Sequence, residues 1–204
     1  MSKLYAGAAL AIVVAFLGGT YVYIKYRTAG DPFVDCRNGQ AAGGDIGGPF
    51  RLVDETGKTV TDKDVITKPT LVYFGYTFCP DVCPLDAARN AQAVDILEEQ
   101  GNDVTPVFIT IDPERDTPEV LAEFTDNLHP RMLGLTGTAE QVKAASDAYK
   151  TYYKKQDTGD QFYLMEHTTF TYLMLPNEGF VDFFTRDDTA ESIAEHAACI
   201  ISKT

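Results

Sequence analysis

Three observations predict an α/β sandwich for this chain of 204 residues. The runs TLVYFGYT (70–77) and VTPVFITID (104–112) are apolar, β-branched and aromatic, as strands covered on both faces are. Each is followed by helical periodicity or a helix-start signal, an order that yields parallel strands through right-handed crossovers. The length gives one ordinary domain with an appendage and too little chain for two.

The appendage comes first. From Leu4 to Ile24 the chain carries no charge, and a helix of that length rises roughly 30 Å, about the hydrocarbon thickness of a bilayer. Residues 1–27 are therefore expected to form one transmembrane helix, with Tyr21, Tyr23 and Tyr26 as an interfacial belt followed by Lys25 and Arg27. A cleaved signal peptide is the competing reading, but the apolar stretch is long for one and no A-x-A site closes it. Lys3 and the α-amino group nearly balance Lys25 and Arg27, so charge alone leaves the orientation open. Two cysteine pairs in a small anchored domain suit an oxidising compartment. The anchor is thus expected in the inner membrane, single-pass, with the domain facing the periplasm.

Residues 28–48, with TAGDP and GQAAGGDIGG, read as a flexible tether, and residues 49–204 as the domain. PFRLVDETGKTVT gives two extended runs around Glu55-Thr56-Gly57-Lys58, an N-terminal β-hairpin. A helix is predicted from Leu85 to about Gln100, with Ala88, Ala91, Val94 and Leu97 near one face and Gly101 as its stop. Thr117 at N-cap and Pro118 at N1 start another, running to Leu128. Thr138 to Gln141 is a capping box opening a helix to about Tyr153, and KKQDTGDQ after it is a surface loop. TFTYLML, PNEG and FVDFF form a closing hairpin, and Asp188 with Glu191 caps a last helix through AESIAEHAACII. Parallel strands finished by an antiparallel hairpin make a thioredoxin-like sandwich.

Setting aside Lys3, Lys25 and Arg27 leaves 14 of the 17 basic residues against 30 acidic ones, a net −16 for the soluble part. Nucleic acid is a poor partner for such a surface. Solubility accounts for the charge; attraction to cations or to a basic protein surface is the functional alternative.

The chemistry centres on YFGYTFCPDVCPLD (73–86). Cys79 and Cys83 sit just past a strand, at the carboxyl edge where open α/β sheets carry their sites. A proline after each cysteine disfavours the α conformation there, which makes Cys83 the N-cap with Pro84 at N1. The Cys83 sulfur would then face the free N–H groups of Leu85 and Asp86, lowering its pKa against the opposing charges of Asp81 and Asp86. A redox pair, a metal clamp and a buried or permanently bridged pair all remain open on spacing alone. A metal needs a third ligand. His129 precedes Pro130 in a loop, and His196 on the last helix is expected to face solvent. His167, in MEHTTFTYLM at the start of a strand, lies on the edge that faces the cysteine loop. Two thiolates and an imidazole suit Cu(I) and can hold Zn(II); a hydrogen-bonded strand-end histidine is the alternative.

YFGYTFCPDVCPLD, VFITIDPERDTPEVL, GLTGTAEQVKAASDAYKTYY and EHTTFTYLM, in this order behind an N-terminal anchor, resemble the Sco/SenC family of copper chaperones, nearest its bacterial SenC/PrrC branch. The similarity runs from about Gly48 to Phe184, and FCPDVCP with DPERDTP is its specific part. It implies copper, as Cu(I), Cu(II) or both, on Cys79, Cys83 and His167. It also implies a role in maturing the binuclear CuA site of cytochrome c oxidase, whose subunit II, or another copper-site protein, is the partner. Members are also described as thiol-disulfide reductases acting on that site, which would make Cys79 and Cys83 catalytic. A copper or redox sensor is a third possibility. His167-Thr168-Thr169 stands where thioredoxin-type oxidoreductases carry a cis-proline, which favours metal over general dithiol exchange.

Asp112-Pro113-Glu114-Arg115-Asp116 should share the edge of the site. Turn formation and capping explain Asp112 and Asp116, with partner docking or metal handover, shared with Asp81, as the alternative. Cys36 and Cys199 lie at ligand spacing with nothing and are expected to form a structural disulfide tying the tether to the last helix, with a stabilisation of about 2–4 kcal/mol.

Overall fold

The computed structural model describes residues 2–28, 30–37, 45–156 and 162–204. Helix α1 (Ser2–Thr28) has 27 residues. Counted over the described residues, no helix is long and apolar enough to cross a membrane.

The domain begins with the expected hairpin, β1 (Arg51–Asp54) against β2 (Thr59–Thr61). Its turn is fixed by the Asp54 carboxylate, which accepts the N–H groups of Thr56 and Lys58, and by Gly57 at φ 82°, a conformation that favours glycine. A short helix α2 (Asp62–Val65) leads to β3 (Thr70–Gly75), every residue of which is buried. Then follow α3 (Val82–Glu99), β4 (Thr105–Thr110), α4 (Pro118–Asp126), β5 (Leu133–Thr136) and α5 (Ala139–Ala148). The last part holds β6 (Tyr153–Lys155), β7 (Met165–His167), β8 (Thr171–Leu175), β9 (Gly179–Phe184) and α6 (Ala190–Ile201).

Seven strands form one sheet in the order β2-β1-β5-β4-β3-β8-β9. Strands β3, β4 and β5 run parallel, with Tyr73 beside Phe108 and Ile109 beside Leu135, while β8 and β9 add antiparallel. This is the parallel centre and antiparallel finish that the element order implies. Two apolar clusters form the core, one around Phe74, Phe108 and Leu135 and one where α3 meets α6 through Val94, Leu97, Ile193 and Ala197.

Five expectations need correction. Strand β5 was not anticipated: its four residues LGLT contain Gly134 and have neither the length nor the alternation of a strand. Contacts across the chain decide it, because β5 bonds β4 on one side and β1 on the other. A side chain at Gly134 would meet Glu55 Oε1 at 2.6 Å, the same atom that accepts the Gly134 N–H at 2.7 Å. Helix α5 stops at Ala148 rather than near Tyr153. Tyr149 is buried against Phe74 and Tyr172, with ring centroids 5.2 and 5.4 Å away, and Lys150 takes φ 55° and turns the chain into β6. The last helix is capped by Thr189, whose hydroxyl accepts the Ser192 N–H at 3.2 Å. Asp188 is drawn back instead, accepting from the N–H and hydroxyl of Thr185.

The tether is the fourth. Phe33 and Cys36 are buried, Ile46 packs on the core, and the Gly47 N–H donates to Ala148 C=O at 2.9 Å. Its central glycine-rich residues, 38–44, lie outside the described residues, as do 157–161 of KKQDTGDQ, whose Lys154 and Lys155 belong to β6 and not to the expected loop because they pair with Glu166 and Met165. Cys36 and Cys199 are bonded, with S–S 2.03 Å and Cα atoms 5.5 Å apart.

Asp182 on β9 is a buried acid outside any site. Burial pushes its pKa up to about 6 from 3.8, against the Phe183 N–H and Arg37, which favour the charged form. The folded chain therefore binds more protons than the unfolded one between those two values, and stability falls as pH rises through that window. Discounting for partial solvent screening, Asp182→Asn is expected to raise stability at pH 7 by on the order of 2 kcal/mol and to change it little below about pH 4. Urea unfolding at both pH values checks this; an equal effect at the two would refute it.

Candidate metal centre

Strand β3 delivers the cysteines at the carboxyl edge of the sheet. The Cys79 N–H donates to Tyr76 C=O at 3.3 Å, closing a turn that leads into α3. The helix starts at Val82, with Asp81 at N-cap, two residues earlier than the prolines imply. Cys83 is thus the second helical residue and Pro84 the third. Proline is tolerated there because the first N–H groups of a helix have no partner within it.

That shift exchanges the roles of the two sulfurs. Burial opposes ionisation of Cys79, but the N–H groups of Cys83, Asp81 and Val82 and the Cys83 thiol donate to its sulfur and hold its pKa below the usual thiol value. The Cys83 N–H lies 3.3 Å from Cys79 Sγ. Cys83 is fully buried, and burial pushes its thiol up well above the ordinary value; the Tyr76 backbone opposes this, and the neighbouring Cys79 adds to it. The helix N-terminus therefore activates Cys79, not Cys83 as the prolines led us to expect.

His167 ends β7, which among the described residues pairs with β6 alone, in a separate two-stranded sheet. Its Nδ1 faces Thr168 C=O at 2.9 Å and its Nε2 faces Cys83 Sγ at 3.3 Å. A proton on Nδ1, held by the carbonyl, leaves Nε2 with a free lone pair directed at the sulfurs. Burial lowers the His167 pKa and favours the neutral ring, although Thr168 and Asp86 favour the charged one.

Cys79 Sγ, Cys83 Sγ and a ring nitrogen of His167 lie within 4.8 Å of one another. An ion about 2.3 Å from sulfur and 2.0 Å from nitrogen spans donors up to about 4.6 Å apart, so slight closure suffices. The residues fit a soft, three-coordinate metal. Among the described residues no other such group of His, Cys, Asp and Glu occurs.

Several neighbours were not anticipated. Tyr73 and Tyr76 stand edge-on to His167, with ring centroids 6.4 and 5.9 Å away. The Tyr73 hydroxyl donates to the buried Asp86 carboxylate at 3.1 Å and also contacts Cys83. In the sequence these tyrosines read as strand packing; only the fold turns their hydroxyls toward the sulfurs. Asp81 lines the cleft beside Cys79 and serves it through its backbone N–H. Asp116 is fully buried and accepts from Thr77 N–H at 3.0 Å and from the hydroxyls of Thr77 and Thr110, both at 2.6 Å. Asp112 accepts from the Tyr163 hydroxyl at 2.7 Å and from Arg115. Besides the local bonds to Thr110 and Arg115, these carboxylates tie the turn after β4 to Thr77, just before the cysteines, and to Tyr163, and neither belongs to the group of converging metal-ligand atoms. His129 is buried, with Nε2 3.2 Å from Asp95 and Nδ1 accepting from Arg131 N–H. His196 does not face solvent freely, as expected of it, but stacks on Phe184 at 6.4 Å between ring centroids.

A family model described as SCO1/SenC matches residues 38–202. Protein SenC of Rhodobacter capsulatus is 54% identical over 201 residues, 98% of this chain and 91% of that protein. The mitochondrial SCO1 homolog 1 of Arabidopsis thaliana is 43% identical over 74% of this chain, which spans 45% of that longer protein. Among solved structures, Arabidopsis thaliana ScoI with copper bound superposes with a TM-score of 0.73 and 41% identity, over 77% of this chain and 99% of that one. With the thioredoxin-like sandwich and the FCPDVCP and DPERDTP segments in place, the chain belongs to the SCO1/SenC family.

Proposed function

We propose that the chain is a membrane-anchored copper chaperone that helps mature the CuA site of cytochrome c oxidase subunit II. The observation that carries the reading is the S₂N donor set, with two sulfurs and the free Nε2 of His167 converging within 4.8 Å. A relative 41% identical was solved with copper bound. Copper is the cargo: reduced Cys79 and Cys83 with neutral His167 hold it, and a Cys79–Cys83 disulfide would consume both sulfur ligands and release it.

The anchor reading is supported by the uncharged stretch Leu4–Ile24 and by the exposure of Leu10, Ile12, Phe16 and Leu17 on α1. A periplasmic domain is supported by the Cys36–Cys199 bond, which a reducing cytosol would not sustain.

The contrast between the cysteines favours a second reading, a thiol-disulfide reductase. Cys79, the more exposed sulfur with the lowered pKa, would attack a partner disulfide; Cys83 would then displace the partner thiolate, leaving Cys79 and Cys83 oxidised and the partner dithiol reduced.

Titration of the reduced full-length chain with Cu(I) against a competing chelator separates the two. Wild type is expected to take up one ion, and His167→Ala to bind about 10- to 100-fold or more weakly while retaining disulfide exchange. Indistinguishable binding by the two proteins would remove His167 from the site, and no binding by wild type would refute the copper reading.

A further inference from the structure

The hairpin that supplies His167 is weakly built. Strands β6 and β7 pair over three residues each and, among the described residues, share no ladder with the seven-stranded sheet. An isolated two-stranded ribbon of that size is marginal in water. Something outside it must hold the imidazole in register with the cysteines.

Arg115 occupies that place. It lies in the turn after β4, with its side chain only 14% exposed. Its guanidinium stacks on the Tyr163 ring at 3.7 Å and faces the rings of Phe78 at 4.7 Å and Tyr76 at 5.7 Å. Nη1 donates to Tyr163 C=O at 3.0 Å and Nε to the Asp112 carboxylate. The other Asp112 oxygen accepts the Tyr163 hydroxyl at 2.7 Å. Phe78 precedes Cys79, and Tyr163 stands four residues before His167. One cation thus grips the cysteine loop with one set of contacts and the approach to His167 with another. The two halves meet again where Met165 N–H donates to the Tyr76 hydroxyl at 3.3 Å.

We propose that Arg115 is a positioning residue for the metal centre: with Asp112 and Tyr163 it latches the β6–β7 hairpin to the cysteine loop and sets His167 Nε2 against the two sulfurs. The proposal rests on the copper reading for its binding test but not for its structural one. Planarity is essential to the latch, since a guanidinium can stack on Tyr163 while its edge bonds both Asp112 and the Tyr163 carbonyl, whereas an ammonium cannot do both.

Two measurements test it. In the metal-free chain, Arg115→Ala is expected to speed amide hydrogen exchange at Met165, Gln156 and Thr168, whose N–H groups bond Tyr76, Leu164 and Tyr152, while amides of β3 and β4 keep their protection. Exchange that is unchanged at the hairpin, or faster everywhere, refutes the latch. In copper titration, Arg115→Ala is expected to weaken binding about 10- to 100-fold, with Arg115→Lys recovering part of the loss. Placed on His167→Ala, Arg115→Ala should add less than about twofold, because the residue it positions is gone. An equal loss in both backgrounds overturns the proposal. If wild type itself fails to bind copper, the copper reading falls and the exchange result still decides the latch.

Discussion

Cys83→Ser is expected to lose copper by about a thousandfold. Structural thiolate and imidazole sites bind with roughly 10–16 kcal/mol over four ligands, so each ligand carries on the order of 3–4 kcal/mol, or two to three decades of affinity. Cys83 should lie at the upper end because its sulfur is fully buried and 3.3 Å from His167 Nε2, where a serine hydroxyl offers a hard, neutral donor in place of a soft anion. The same residue sets the pH dependence. Burial raises the Cys83 pKa, so at neutral pH the metal-free thiol keeps its proton and must release it to bind. Affinity should therefore rise with pH in wild type, by up to about one decade per unit for each proton released. Competition titrations from pH 6 to 9 read both effects. Wild-type affinity independent of pH, or Cys83→Ser binding within about tenfold of it, would contradict this assignment.

The second large effect is on stability. Breaking the Cys36–Cys199 bond by Cys199→Ser should destabilise the domain by about 2–4 kcal/mol, because the bond spans 163 residues and removes much freedom from the unfolded chain. It also pins Phe33 and Cys36 onto the cluster formed by α6 and β9. That cluster is separate from the one containing Cys79 and Cys83, so copper binding should persist. A lowered melting temperature with intact copper affinity is the expected pair of results; loss of copper would show that the two cysteine pairs are not independent. Alkylation of the thiols in intact cells adds a check on orientation, since a reduced Cys36–Cys199 pair would place the domain in the cytoplasm.

Legibility in the sequence followed the range of the interactions involved. Strands β3 and β4, the first hairpin, and the capped starts of α4 and α5 are written in local terms: buried runs, a glycine turn, and Thr117 and Thr138 as N-caps. Strand β5 and the β6–β7 ribbon are not, because four residues with a glycine, or three ending in lysines, become strands only through partners far along the chain. The Asp188 cap failed for a local reason instead: the N–H and hydroxyl of Thr185, three residues away, donate to its carboxylate and hold it away from the helix end.

The site divides in the same way. From residues alone, Cys79 and Cys83 at a strand-to-helix junction identified a reactive edge, and the family resemblance chose His167 as third ligand. The sequence by itself determined the donor types, because softness and charge belong to the side chains. Only the tertiary structure decided which sulfur is activated, since a shift of two residues in the start of α3 moves the free N–H groups from Cys83 to Cys79. It likewise decided what holds His167, because the contacts of Arg115 with Phe78 and Tyr163 join segments that only folding brings together.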